Sequence, residues 1–467
     1  MSDRDRSRSL TAHSIRPKAS GKVIVSDAGT PREEAPPAAP VELGEPRRSG
    51  PRPPRSPRTR RADRLVWAAL VLVAVAVLIV ALAAPLPDAG SSGPAVAPDA
   101  TVATIRLDPR VDTGDPVTAG VGAPMPAPSG RQVSGTAPAT PKRPVSIACG
   151  GDVMGAWGVD AAIRSRGADY VMKEIKRVLK PAHVAFLNAE SPFSNAGSPQ
   201  TWKDVYFRGN PALVPAMARA GVDVVTMANN HCLDYKAPAL LDSIRRFNKV
   251  GIKVVGAGRN AAEAWRFRYV TRNGVRIGFM GWTDIMPPGF AATSSSAGAA
   301  VGPLWSGAAR VRKAIRAASR KADIIVVAFH WGVEGTHYPI RQQIQEAHAA
   351  IDAGADLVMS HHPHWLQGIE RYRGGMIMYS FGDLVFPPLS RAAAETVIMT
   401  CTVSERWITA TITPYLLDGN GVPHRATGGA ARSILKQLDR FSHARGTRLT
   451  FDWAHQRATV KVKRRDR

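Results

Sequence analysis

The second half of this chain repeats one pattern: an apolar run ends in residues able to hold a cation or move a proton. The densest case is His361, His362 and His364, directly after Asp356-Leu-Val-Met359. Neutral imidazole is the commonest side-chain metal ligand, and three histidines around Pro363 cannot all be core residues. The same pattern places Asp152 in "CGGDVMG", Asn188 and Glu190 in "LNAES", and Asn229, Asn230, His231 and Asp234 in "MANNHCLDY". It recurs with His330 and Glu334 in "AFHWGVEG" and with Asp383 in "YSFGDLVF". Oxygen and imidazole donors without thiolate suit one or two divalent ions such as Mn, Zn or Fe. Such ions polarise an electrophile and lower the pKa of a bound water. Cys149, Cys232 and Cys401 show no CxxC spacing, which argues against a disulfide framework and a thiolate zinc site. Cys232 adjoins His231 but has no recognisable base partner as a nucleophile.

Positioning these groups requires strands that end together. "VSIAC", "HVAFLN", "VDVVTMA", "IKVVGA", "VRIGFMGW", "DIIVVAFHW", "DLVMS" and "MIMYSFG" read as strands. Between them "YVMKEIKRVLK", "NPALVPAMARA", "APALLDSIRRFNKV", "GAARVRKAIRAASRK" and "IRQQIQEAHAAIDAG" carry helical periodicity. The alternation predicts an α/β layered domain, in which ligands bind beyond the carboxyl ends of the strands. His348 lies within a helical pattern and His183 begins a strand, so both read as packed or hydrogen-bonded residues.

The rest of the chain is organised differently. Residues 1–64 are rich in Arg, Pro and Ser and read as a disordered basic segment. "LVWAALVLVAVAVLIVALAA" then offers 20 residues without charge, Gly or Pro, predicting a transmembrane helix over 65–85. Fifteen Lys and Arg against eight Asp and Glu precede it, whereas the 20 residues after it have no Lys or Arg, which puts the N-terminus in the cytoplasm. Residues 86–143 read as a Pro/Ala-rich stalk, 144–445 as the folded domain and 446–467 as a basic tail. Residues 144–467 hold 42 Lys and Arg against 24 Asp and Glu. Outside the cytoplasm that excess favours anionic envelope polymers over nucleic acid.

Taken together and in this order, "GGDVM", "LNAES", "FRGNP", "MANNHCLDY", "FHWGVEG", "DAGADLVMSHHPHWLQGIE" and "YSFGDLVF" resemble the CapA family, the poly-γ-glutamate capsule synthesis proteins. The resemblance implies a layered α-β-β-α sandwich of metallophosphatase type. It also implies Asp152 and Glu190 as metal carboxylates, Asn230, His330, His362 and His364 as further ligands, and His361 outside them. His231, oriented by Asp234, becomes the acid/base candidate, and Arg208, Glu334 and Asp383 become substrate contacts. Met154 stands where metallophosphatases have a histidine, and a thioether is a poor ligand for hard ions, so a second ion is expected to be weaker or absent. Asp383 replaces an asparagine usual in the family.

Three functions are compatible with this reading. The first is a metal-dependent enzyme acting on poly-γ-glutamate or a similar acidic polymer, alongside membrane-embedded synthesis or export proteins. The second is a phosphoesterase for another envelope substrate, and the third is a noncatalytic export component. All three share one topology, which protease added to spheroplasts tests: it should degrade the folded domain and spare an N-terminal tag. Protection of the domain would contradict the charge asymmetry.

Overall fold

The computed structural model describes residues 143–466. The expected cytoplasmic segment, span and stalk lie outside these residues, apart from Arg143. Among the described residues no helix is long and apolar enough to cross a membrane.

The apolar runs do form strands, with several others between and after them. In chain order these are β1 (Val145–Val153), β2 (Val184–Ala189), β3 (Val224–Thr226), β4 (Lys253–Val255), β5 (Ala257–Gly258), β6 (Arg268–Arg272), β7 (Val275–Thr283), β8 (Gly298–Ala299) and β9 (Ile324–His330). They continue with β10 (Leu357–Met359), β11 (Ile369–Tyr372), β12 (Gly375–Met378), β13 (Asp383–Val385), β14 (Glu395–Val403), β15 (Trp407–Leu417), β16 (Pro423–Arg425), β17 (Thr450–Asp452) and β18 (Arg457–Lys463).

Two large sheets result. The first runs β17-β18-β15-β14-β1-β2-β3-β4, with β13 also paired to β1 and β16 to β15. Its β1, β2, β3 and β4 are parallel, whereas β14, β15 and β18 run antiparallel to their neighbours. The second runs β11-β12-β10-β9-β7-β6, with β12, β10, β9 and β7 parallel.

Strand alternation explains the layering. Ile147, Cys149, Phe186 and Val224 of the first sheet share one core with Ile277, Phe279, Val326 and Leu357 of the second. The rings of Phe186 and Phe279 meet there, 5.4 Å between centroids. Ala148, Ala185, Leu187 and Val225 point the other way, into a core with the helices Leu213–Arg219 and Lys236–Lys249. On the second sheet, Ile325, Val327 and Val358 pack with the helices Ala308–Ser319 and Arg341–Asp352. Strands covered on both faces must be apolar nearly throughout, which is why they read as continuous runs. The helix Gly428–His443 puts Ile434, Leu435 and Leu438 into the core shared by the sheets.

The parallel strands bring their carboxyl ends to one edge. Gly151 allows β1 to reach it: a Cβ there would lie 1.9 Å from the carbonyl oxygen of Gly382, which accepts a hydrogen bond from Asp152 N at 3.1 Å.

The stretch after residue 445, expected as a basic tail, instead supplies β17 and β18. Its positive charge is structural as well as superficial: Arg464 is buried and donates from Nε to Asp356 Oδ1 at 3.1 Å. Asp356 Oδ2 accepts from Ile325 N at 2.8 Å, so this pair fastens the last strand of the first sheet to the second. Removing one partner of a buried pair leaves an uncompensated charge. Arg464→Ala should therefore lower unfolding free energy by about 3–5 kcal/mol in urea titrations. Arg219→Ala, which breaks an exposed pair with Asp169, should change little.

Candidate metal centre

Asp152 lies near the end of β1, Asn188 near the end of β2, and Glu190 just beyond it. All three are fully buried. The Asn188 amide donates to Asp152 Oδ1 at 2.8 Å and to Glu190 Oε2 at 3.1 Å, holding two carboxylates side by side. His330 closes β9 and His364 follows β10, so the second sheet delivers imidazoles to carboxylates from the first.

Two donor groups form, each with ligand atoms within 4.8 Å of one another: Asp152, Glu190 and His330, and Asp152, His364 and Asp383. Asp152 belongs to both. His364 Nδ1 donates to Asp383 Oδ1 at 2.7 Å and its Nε2 is 4.0 Å from Glu190 Oε1.

Whether these residues fit divalent ions is decided by what is left unpaired. Glu190 Oε1 is buried and has no hydrogen-bond partner, nor has His362 Nδ1. Burial, reinforced by Asp152, pushes the Glu190 carboxyl well above its usual range. Burial likewise holds the His330 imidazole well down, and carries His362 down to about 3, leaving neutral lone pairs. Burial would also lower His364, but Asp383, Asp152 and Glu334 outweigh it and raise the imidazole to about 9. Burial lifts Asp383 to about 6 against the opposing His364 charge. Buried oxygen and imidazole donors of this kind suit one or two divalent cations, which must displace the proton held on His364.

Asn230, His231 and Asp234 follow β3 beside this centre. Asn230 Oδ1 meets His330 Nε2 at 2.8 Å. His231 Nδ1 lies 2.6 Å from Asp234 Oδ2. His362 adjoins His330, with 4.8 Å between ring centroids, but falls outside both donor groups. Both His362 and His364 have positive φ, 97° and 58°, in a region uncommon for side-chain-bearing residues. The His362 N–H donates to Asp152 Oδ2 at 3.3 Å, which helps hold that turn. His361 stands outside, bonding the Gly150 carbonyl through Nε2 at 3.1 Å.

Other expected residues are placed differently. Asp383, read as a substrate contact, belongs to the second donor group and gives it a hard ligand. Met154 is buried with Phe207 and Phe386, and its sulfur accepts from Ala156 N, so it lines the wall. The Arg208 guanidinium donates to the carbonyls of Asn195, Ala196 and Gly197 and lies over Tyr235, so much of its donor capacity is engaged by the loop itself. Glu334 is exposed, and its charge reaches Glu190, His364 and Asp383. Cys232 is buried and its thiol is pushed up to about 12, against a nucleophilic role. His348 bonds Glu370 and His183 bonds Ser146, as their sequence context implies.

Sequence reasoning did not assign Asn188, although it ends the same run as Glu190. Lys203 was missed outright: it pairs with Asp234 from a loop without apolar periodicity.

The fold and site thus define a metal-binding α/β domain with helix-covered sheets. Residues 146–388 match the family model of the bacterial capsule synthesis protein PGA_cap, and the chain belongs to that family. It is 33% identical over 239 residues to the capsule biosynthesis protein CapA of Bacillus anthracis, covering 50% of this chain and 58% of that protein. It is also 33% identical over 238 residues to the PGA biosynthesis protein CapA of Bacillus subtilis, covering 50% of this chain and 62% of that one. The match therefore spans less than two thirds of either relative. Among solved structures, an NAD nucleotidase of Haemophilus influenzae aligns at 11% identity with a TM-score of 0.34, over 64% of this chain and 63% of that one.

Protons and cations compete for this centre. The folded-state values of His364 and Asp383 both lie above their ordinary ones, so the metal-free fold binds extra protons and loses stability as pH rises through about 6 and then about 9. Metal must displace those protons, so the rise in Tm on adding Mn or Zn should grow between pH 6 and pH 9. The corresponding stabilisation free energy should reach about 2.7 kcal/mol at a hundredfold excess over Kd, and shrink in His364→Ala together with metal content. A pH-independent increment would contradict this account.

Proposed function

We propose that this chain is a membrane-anchored, extracytoplasmic, metal-dependent hydrolase or transferase of an anionic envelope polymer of the poly-γ-glutamate type. The observation that carries the reading is the pair of donor groups sharing Asp152 beside an imidazole paired with a carboxylate. Membership of the capsule synthesis family supports the substrate class, and the apolar run at 65–85 with its charge asymmetry supports the topology. Action beside membrane-embedded synthesis or export proteins is part of the same proposal.

In this reading Asp152, Glu190, His330, His364 and Asp383 hold the ions, with Asn230 and His362 as additional donors. When bound, the ions would polarise a carbonyl or phosphoryl oxygen and lower the pKa of water. His231 exchanges a proton with the leaving or attacking oxygen or nitrogen, while Asp234 holds its Nδ1–H. Burial lowers the His231 pKa against the opposing effect of Asp234, so the ring is mainly neutral and ready to accept a proton near neutral pH. The basic excess of residues 144–467 supplies attraction to a polyanion, which salt screens over about 8–10 Å.

The purified full chain, incubated with poly-γ-glutamate and with a generic phosphoester, should cleave or transfer the polymer in a chelator-sensitive way. His231→Ala should lower the rate by about 10²–10⁴-fold without loss of metal. Cleavage of the phosphoester alone would replace the polymer reading with a phosphoesterase. Salt-dependent polymer binding without turnover would replace it with an assembly role.

A further inference from the structure

The segment between β2 and β3 winds around a single residue. Gln200 N donates to the Asp234 carbonyl oxygen at 2.8 Å, and Phe207 N donates to Asp234 Oδ2 at 2.7 Å. Between them, the Lys203 ammonium donates to Asp234 Oδ1 and, at 2.8 Å, to the Asn230 carbonyl oxygen. The lysine side chain is only 11% exposed and the aspartate is fully buried.

Elementary hydrogen-bond chemistry fixes what this does to His231. Its Nδ1 is 2.6 Å from Asp234 Oδ2 and 3.4 Å from Lys203 Nζ. A carboxylate only accepts and an ammonium only donates. The short contact with the carboxylate therefore needs a proton on Nδ1, and in the neutral ring Nε2 carries the lone pair. Lys203 adds a positive partner to the buried Asp234 carboxylate, which a neutral imidazole cannot supply. Phe207 completes the arrangement by stacking on His231, 4.0 Å between centroids at 27°. Through the Asn230 carbonyl, the same ammonium also reaches the residue whose Oδ1 meets His330.

We propose that Lys203 is a positioning residue that, through Asp234 and the Asn230 backbone, fixes the tautomer and ring plane of His231 relative to the ion-binding groups. This rests on His231 being the proton-transfer group of the function proposed above. Ordering of the segment 200–207 and ordering of the imidazole then become one event. Trp202 and Tyr206, next to the clamping residues, are 53% and 38% exposed and report on it.

The test compares the full chain with Lys203→Met, which keeps a long side chain and removes the charge, and with Lys203→Arg, which keeps it. Two-bond ¹⁵N–¹H spectra of ¹⁵N-histidine-labelled protein, with His231 assigned by its loss in His231→Gln, should show an Nδ1–H ring in the wild type and in Lys203→Arg. In Lys203→Met the ring should become a mixture of tautomers, and chymotrypsin should cut after Trp202 or Tyr206 about fivefold faster. Chelator-sensitive turnover of the substrate that the wild type accepts should fall about tenfold in kcat with KM and bound metal retained, and Lys203→Arg should recover part of it. A wild-type spectrum and wild-type proteolysis in Lys203→Met would overturn the proposal, as would loss of metal accompanying loss of turnover. Absence of chelator-sensitive turnover in the wild type would overturn the enzymatic reading alone, because the spectrum and proteolysis decide the positioning of His231 independently. If Lys203→Met does not fold, Lys203→Gln, uncharged but still a donor, is read in the same way.

Discussion

Three carboxylates, Asp152, Glu190 and Asp383, are buried within reach of one another, and the surrounding structure answers to that concentration of charge. Carboxylates so placed repel one another and lose hydration, so each needs a donor or a cation nearby. Asn188 provides donors to two of them and is itself held by the Asn229 amide, which donates to Asn188 Oδ1 at 3.0 Å. His364 serves Asp383, and one oxygen of Glu190 is left without a partner. An arrangement this costly without an ion is well suited to holding one.

The sheets divide the chemistry. The carboxylates come from β1, from the residue after β2 and from β13, all of the first sheet, whereas the imidazoles come from the ends of β9 and β10 in the second. The centre consequently depends on the apolar contacts between the sheets, including Phe186 against Phe279, although none of those residues is a ligand. The Arg464–Asp356 pair extends the same dependence to the end of the chain. A residue outside the matched family segment thereby helps fix the relative placement of the two halves of the site.

The groups proposed for proton transfer and those proposed for ion binding occupy adjoining but distinct networks. His231, Asp234, Lys203 and Phe207 form one network, and the carboxylates with His330 and His364 form the other. Asn230 joins them, its backbone carbonyl facing Lys203 and its side chain facing His330. Met154 joins neither and fills the apolar wall with Phe207 and Phe386, while Asp383 supplies the hard donor that a thioether could not.

The sequence alone revealed the parallel strands and their helices, because burial on both faces forces long apolar runs and helical periodicity survives in the covering segments. It also revealed Asp152, Glu190, His330 and His364, since metal-capable residues placed repeatedly after such runs must share an edge in a layered α/β fold. It did not reveal β17 and β18, whose alternating basic residues resemble a tail until β15 pairs with β18. Nor did it separate Asp383, a member of a donor group, from Arg208, whose charge is tied to loop carbonyls: both are polar residues near a motif, and only packing determines what each one faces. Lys203 lay further from view. Its role comes from a loop folding back across 31 residues to a buried aspartate, and no local pattern encodes that contact because its two ends are brought together by the sheets between them.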